Sequence, residues 1–250
     1  MSDKDTIIRL FDEKVRGRHP DTGSFNQLHD GKGGHWLETQ MGIHANSSNS
    51  PDLLGYEMKN DTTSKTTFGD WSANYYIFKK NNPYGITRND FLCIFGKPNP
   101  LKNGRHSWSG EPSPTIKGVN KFGQNLFVDE ENNIHAKYHY SKDERLDKAT
   151  VVPDAMKVDD LTIARWDASK LKKKVENKFN KMGWFKCLRD STGAYTSIVF
   201  GGPIDYETWI SLVKTGDVYF DSGMYEGNNR PYSQWRADNA FWIKLVISKH

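Results

Sequence analysis

"PDLLGYEMK", residues 51–59, sets Asp52, Glu57 and Lys59 on a stretch that otherwise reads as an apolar strand. Successive side chains of an extended chain alternate faces, so Glu57 and Lys59 share one face and Asp52 stands at the head of a strand predicted over 53–59. Two carboxylates brought together repel each other unless a hard divalent cation neutralises them, and Mg²⁺ takes such oxygen ligands together with water. A lysine beside them would orient or deprotonate a water, or stabilise charge on a phosphoryl oxygen. The triple therefore suits metal-assisted hydrolysis of a phosphodiester. Read as residues alone, it is equally a solvent-facing ion pair on an edge strand, and such pairs contribute only about 0–1 kcal/mol.

Outward from this stretch, the 250 residues suit one domain or two intimate lobes with a sizeable core. Apolar residues make up 36% and charged ones 26%, and no apolar run reaches the length of a membrane span, which excludes a membrane role. The N-terminal "MSDKDTIIRLFDEKV" lacks a secretory core, so the expected location is the cytoplasm. Cys93 and Cys187 lie far apart without metal-type spacing, giving no support to a zinc site or a disulfide, and both are expected to be reduced core residues. The net charge of +4 permits an anionic partner without requiring one.

Helical spacing of Ile7, Ile8, Phe11 and Val15, and of Trp36, Leu37 and Met41 before Gly42, predicts two helices ahead of the strand, joined by a polar loop. Strands are expected around 75–78 and 91–95, and a long loop or arm over 96–120. "NLFVDEENNIHAKYHY" predicts a hairpin. Leu171, Val175, Phe179 and Met182 recur with helical period, while Lys170, Lys174, Lys178 and Lys181 mark a face expected to stay wet. A strand pair around "STG", a helix ending at Gly216 and two last strands around a long loop complete the reading. Strands and helices without strict alternation indicate a mixed α+β class.

The stretch "GGHWLETQMGIHANSSNSPDLLGYEMKN" resembles the PD-(D/E)XK restriction endonucleases of the MvaI and BcnI type, relatives of the mismatch-repair nickase MutH. The matching positions are Gly34, Leu37, Glu38, Gly42, Pro51, Asp52, Glu57 and Lys59; "SKTTF", "WDASKLKKKVENKF" and "ISLVKTGDVYFDSGMY" continue the likeness more loosely. The resemblance implies an α/β nuclease fold with a central mixed sheet flanked by helices and two lobes forming a DNA cleft. It implies a catalytic lobe core over about 1–95 and a recognition lobe over about 96–250, with elements returning to the first. Asp52, Glu57 and the Met58 carbonyl would hold Mg²⁺, Lys59 would be the catalytic lysine, and Glu38 an additional carboxylate near the metal. Lys65 would touch a phosphate. The implied partner is double-stranded DNA, cut by a monomer, with a cognate DNA methyltransferase as genetic partner.

The resemblance weakens at "RPYSQWRADNAFWI", where the family's histidine-containing segment is missing, so the family's target sequence does not transfer. Arginine bonds guanine bidentately and glutamine bonds adenine, so Arg230, Tyr232, Ser233, Gln234 and Arg236 form a candidate DNA-reading loop, with Arg105 and His106 of "GRHSWSG" a second. The function expected is a Type II restriction endonuclease. The alternatives are a MutH-like nicking enzyme, and a DNA-binding module without catalysis, against which Glu38, Asp52, Glu57 and Lys59 together argue.

Overall fold

The strand that bears Glu57 and Lys59 runs from Tyr56 to Asn60 in the computed structural model of the chain, which describes residues 1–23, 31–43, 49–79 and 81–250. It is an edge of a four-stranded mixed sheet, parallel to Gly183–Arg189, which pairs antiparallel with Tyr195–Gly201 and, through that strand, with Val246–Lys249. Tyr56 and Met58 point to one face, where the Asp3–Lys14 and Lys32–Gln40 helices bury Ile7, Phe11, Trp36 and Leu37 against Phe185, Ile198 and Phe200. The first of these helices starts at Asp3 because Ser2 and Asp5 form a capping box, satisfying two otherwise orphaned backbone N–H groups.

The register pairs Glu57 with Trp184 and Lys59 with Lys186, so these four share the opposite face of the sheet. That face is covered by aromatic side chains: Trp184 meets Trp242 edge-on at 4.9 Å between centroids, and Phe179 lies 6.4 Å from Trp242. These residues belong to one of two compact units, formed by 1–66, 173–206 and 238–250. The second unit, 67–172 and 207–237, has a core of interlocked rings in which Trp166 and Trp209 meet Trp235 at 5.5 and 5.3 Å and Phe91 meets Trp108 at 4.9 Å. An antiparallel sheet in the order Tyr75–Tyr76, Leu161–Trp166, Ile134–Asp143, Phe122–Val128 includes the predicted hairpin.

Several expectations need correction. Residues 91–95 are not a strand but the end of a helix, Arg88–Phe95, because Thr87 and Asp90 form a capping box that commits the chain upstream of an apolar run too short to declare its own period. The supposed long loop at 96–120 contains a small hairpin in which Lys97–Asn99 pairs with Arg105–Trp108, turned by Asn103 and Gly104 with positive φ. The C-terminal segment holds a helix, Asn239–Lys244, between its strands. Cys187 is buried as expected, whereas Cys93 is exposed on its helix. Among the described residues no helix is long and apolar enough to cross a membrane.

Candidate active site

Asp52 does not lie in line with the strand. Leu54 and Gly55 take positive φ, 49° and 82°, and fold the chain so that Leu53 and Tyr56 bond each other through both backbone pairs (3.0 and 2.8 Å). Gly55 suits this turn because it carries no Cβ; one built there would meet Met182 Cγ at 2.9 Å. The turn brings the Asp52 carboxylate back against the strand, where Oδ2 accepts the Met58 N–H at 2.9 Å. N–H and C=O of one residue leave an extended chain on the same side, so the Met58 carbonyl faces the side on which Asp52 sits.

Glu57 is almost fully buried. Its Oε1 accepts from Lys59 Nζ and from Lys178 Nζ, both at 2.9 Å, and its Oε2 is buried with no hydrogen-bond partner. The Lys59 ammonium lies 5.1 Å from the Phe179 ring centroid. Burial pushes the Lys59 ammonium below its usual range, an effect that Glu57 opposes. Asp52 is pushed up to about 6, first by burial and then by the neighbouring Glu57 charge, against the pull of Lys178 and Lys59. A carboxyl raised by burial and by the Glu57 charge, beside an unused buried Glu57 oxygen, forms a donor set short of one cation. Asp52, Glu57 Oε2 and the Met58 carbonyl thus fit a hard divalent ion held by oxygen ligands.

Lys178 was expected on the wet lysine face, yet only 16% of its side chain is exposed. It stands seven residues after Leu171, so it lies within about 20° of that buried residue around the helix, at the border of the apolar stripe. That heptad spacing is the signal that could have identified it. Lys186 is a second charged group on this face that sequence reasoning passed over: its ammonium donates to Thr66 Oγ1 (3.1 Å) and Asn239 Oδ1 (3.0 Å) and lies 3.4 Å from Asp61 Oδ1.

The Glu38 carboxylate pairs with His35 Nδ1 at 3.1 Å on the same helix, and among the described residues Glu38, Asp52 and Glu57 do not all three close to within 4.8 Å of one another. Lys65 opens the Lys65–Asp70 strand, and its carbonyl accepts from Thr62 Oγ1.

The expected DNA-reading groups lie in the second unit and are held by it. Arg230 pairs with Asp70 at 2.8 Å and lies over the Tyr232 ring, yet half of its side chain is exposed. Arg236 lies 3.4 Å from Asp221 and donates to Gln234 Oε1. Ser233 is fully buried: its N–H donates to Asp70 Oδ1 and its hydroxyl shares a hydrogen bond with Tyr76 Oη at 2.6 Å, so it anchors the loop. Arg105 stacks on Tyr225 at 3.6 Å, and His106 Nδ1 faces Glu226 at 3.4 Å.

Residues 15–250 match the family model described as LlaMI restriction endonuclease. The chain is 51% identical to the Type II restriction enzyme ScrFI of Lactococcus lactis subsp. cremoris, over 99% of this chain and 98% of that protein. Among solved structures it is similar to the restriction endonuclease MvaI in complex with its cognate DNA substrate, with a TM-score of 0.60 and 14% identity over 100% of this chain and 98% of that one. That likeness carries the PD-(D/E)XK fold.

Proposed function

We propose, on the premise that this chain belongs to the LlaMI restriction endonuclease family and is a Type II enzyme that cleaves double-stranded DNA at a specific sequence, that Asp52, Glu57, Met58 and Lys59 perform the cleavage. The observation that carries this reading is Glu57, with one oxygen held by two ammonium groups and the other buried and unpaired. Metal dependence is general in this family, and Mg²⁺ is the ion we assign to Asp52, Glu57 Oε2 and the Met58 carbonyl. When bound, it supplies Lewis-acid stabilisation of the phosphoryl oxygens and a more acidic water. Lys59, held against Glu57, presents a positive charge to the attacked phosphate and orients the water that attacks it. Lys178 holds the Glu57 charge in the absence of metal. Glu38, paired with His35, is assigned as the additional helix carboxylate near the metal.

Base reading is assigned to the second unit, with Arg230, Tyr232, Gln234 and Arg236 reaching base edges after exchanging their present partners, Ser233 fixing the loop, and Arg105, stacked on Tyr225, and His106 as a second candidate; Lys65 contacts a phosphate. The enzyme acts as a cytoplasmic monomer alongside a cognate methyltransferase. The test is cleavage of unmethylated and methylated phage DNA with and without Mg²⁺, followed by sequencing of the ends. Asp52→Ala and EDTA should each abolish cleavage while specific binding persists. Undiminished cutting in EDTA would overturn the assignment.

A further inference from the structure

The small hairpin at 97–107 and the helix before it bring together three side chains that the sequence separates widely. Cys93 lies on the outer face of the Arg88–Phe95 helix, His106 on the Arg105–Trp108 strand, and Glu226 one residue beyond Met224–Tyr225. One ligand atom from each lies within 4.8 Å of the others. Cys93 Sγ is 3.8 Å from Glu226 Oε1, and His106 Nδ1 is 3.4 Å from Glu226 Oε2. A tetrahedral zinc ion, with bonds of about 2.3 Å to sulfur and about 2.0 Å to nitrogen or oxygen, needs S···O and N···O separations of about 3.5 and about 3.3 Å. The observed separations, measured to the two oxygens of one carboxylate, lie within a few tenths of an ångström of these values, and the sulfur and the imidazole nitrogen come within 4.8 Å of each other.

The site is also held in place by backbone. Glu226 N–H donates to the His106 carbonyl at 3.0 Å, and His106 N–H donates to Glu226 Oε2 at 2.6 Å, so the two ligands lie on one ladder that continues the pairing of Tyr225 with Ser107. Of the three, Glu226 and His106 remain about 30% exposed, which leaves an entry path and room for a fourth ligand.

We infer that Cys93, His106 and Glu226 form a binding site for a borderline-soft divalent cation, zinc by its chemistry, with a water in the fourth position. Thiolate and imidazole select against Mg²⁺, so this site is chemically distinct from the all-oxygen set at Asp52 and Glu57. Binding replaces the Cys93 thiol proton, which leaves to solvent, and uses His106 as the neutral imidazole with its proton on Nε2. The ion would tie the helix, the arm and the 224–226 segment into one body within the second unit.

The experiment titrates Co²⁺ alone into the chelator-treated full-length Asp52→Asn variant, in which the oxygen site is disabled. The expected result is a thiolate-to-cobalt charge-transfer band that saturates at one equivalent and is displaced by Zn²⁺. Cys93→Ser and Glu226→Gln should each remove the band, and Cys187→Ser should leave it unchanged. Far-ultraviolet circular dichroism and metal-free melting would establish that the exposed Cys93→Ser change leaves the fold intact. Absence of the band, or its persistence in a folded Cys93→Ser protein, would overturn the inference; an oxygen-only site at Glu57 gives no such band, so failure here leaves the assignment of the cleavage residues standing.

Discussion

A carboxylate buried as deeply as Glu57 persists in the charged form only while cations answer it, and here two lysines share one of its oxygens. Lys178→Met should leave Lys59 as the sole partner and lower the metal-free stability by about 1–3 kcal/mol, the cost of a buried acceptor losing a donor. Mg²⁺ should recover part of that loss, so the difference in Tm with and without EDTA should be wider in the variant than in the native protein; equal differences would exclude this role for Lys178. Asp52 behaves in the opposite sense from a salt-bridged acid. Its folded value of about 6 lies above the unfolded 3.8, so the folded state holds the proton more tightly. The metal-free stability it confers is therefore present at low pH and declines as pH rises from about 4 to about 6. Asp52→Asn should remove that decline and raise Tm above pH 6, while cleavage is lost, a pairing that thermal melts across pH and a cleavage assay together would reveal.

At the scale of an element, the site depends on the Leu54–Gly55 turn that folds Asp52 back on its strand. Gly55→Ala introduces a side chain at φ +82° and a contact with Met182, which should cost about 1–2 kcal/mol or more and displace Asp52 from the Met58 N–H. Cleavage should fall by orders of magnitude, and Met182→Ala in the same chain should relieve the contact without relieving the backbone strain, so rescue should be partial. Full activity in Gly55→Ala would show that the turn does not position the ligand. The 230–236 loop is likewise set by anchors, Ser233 and Trp235 being buried while Arg230 is half exposed. Arg230→Ala should cost about 1–3 kcal/mol at the preferred site and narrow the gap to a scrambled duplex.

For the whole molecule, the proposed DNA binding would combine that sequence-dependent contribution with a purely electrostatic one. Lys174 is exposed on the Ala168–Phe179 helix, so that any contact it makes with a phosphate would carry no sequence information. Lys174→Ala should weaken cognate and scrambled duplexes equally and reduce the slope of log K against log salt by about 0.9. Titrations of both variants at several salt concentrations distinguish the two patterns, and equal losses on both duplexes for Arg230→Ala would remove the loop from base readout.

The sequence by itself determined the first two helices, the strand carrying Glu57 and Lys59, the hairpin within 125–140 and the family, because each rests on relations short in sequence: a period of 3.6 or 2, a polar turn between two strand-like runs, a fixed D-x4-E-x-K spacing. The Arg88–Phe95 helix was less legible, since four buried apolar residues in five positions satisfy a strand as well as a helix until the cap is recognised. What only the tertiary structure decided was which charges meet. Lys178 reaches Glu57 across more than a hundred residues, and Cys93, His106 and Glu226 converge from three separate elements, where no spacing along the chain could announce them. Local periodicity fixes the direction in which a side chain leaves its own element, whereas its partner is fixed by how sheets and helices pack, and that packing is set by the sum of apolar surface buried over the whole unit.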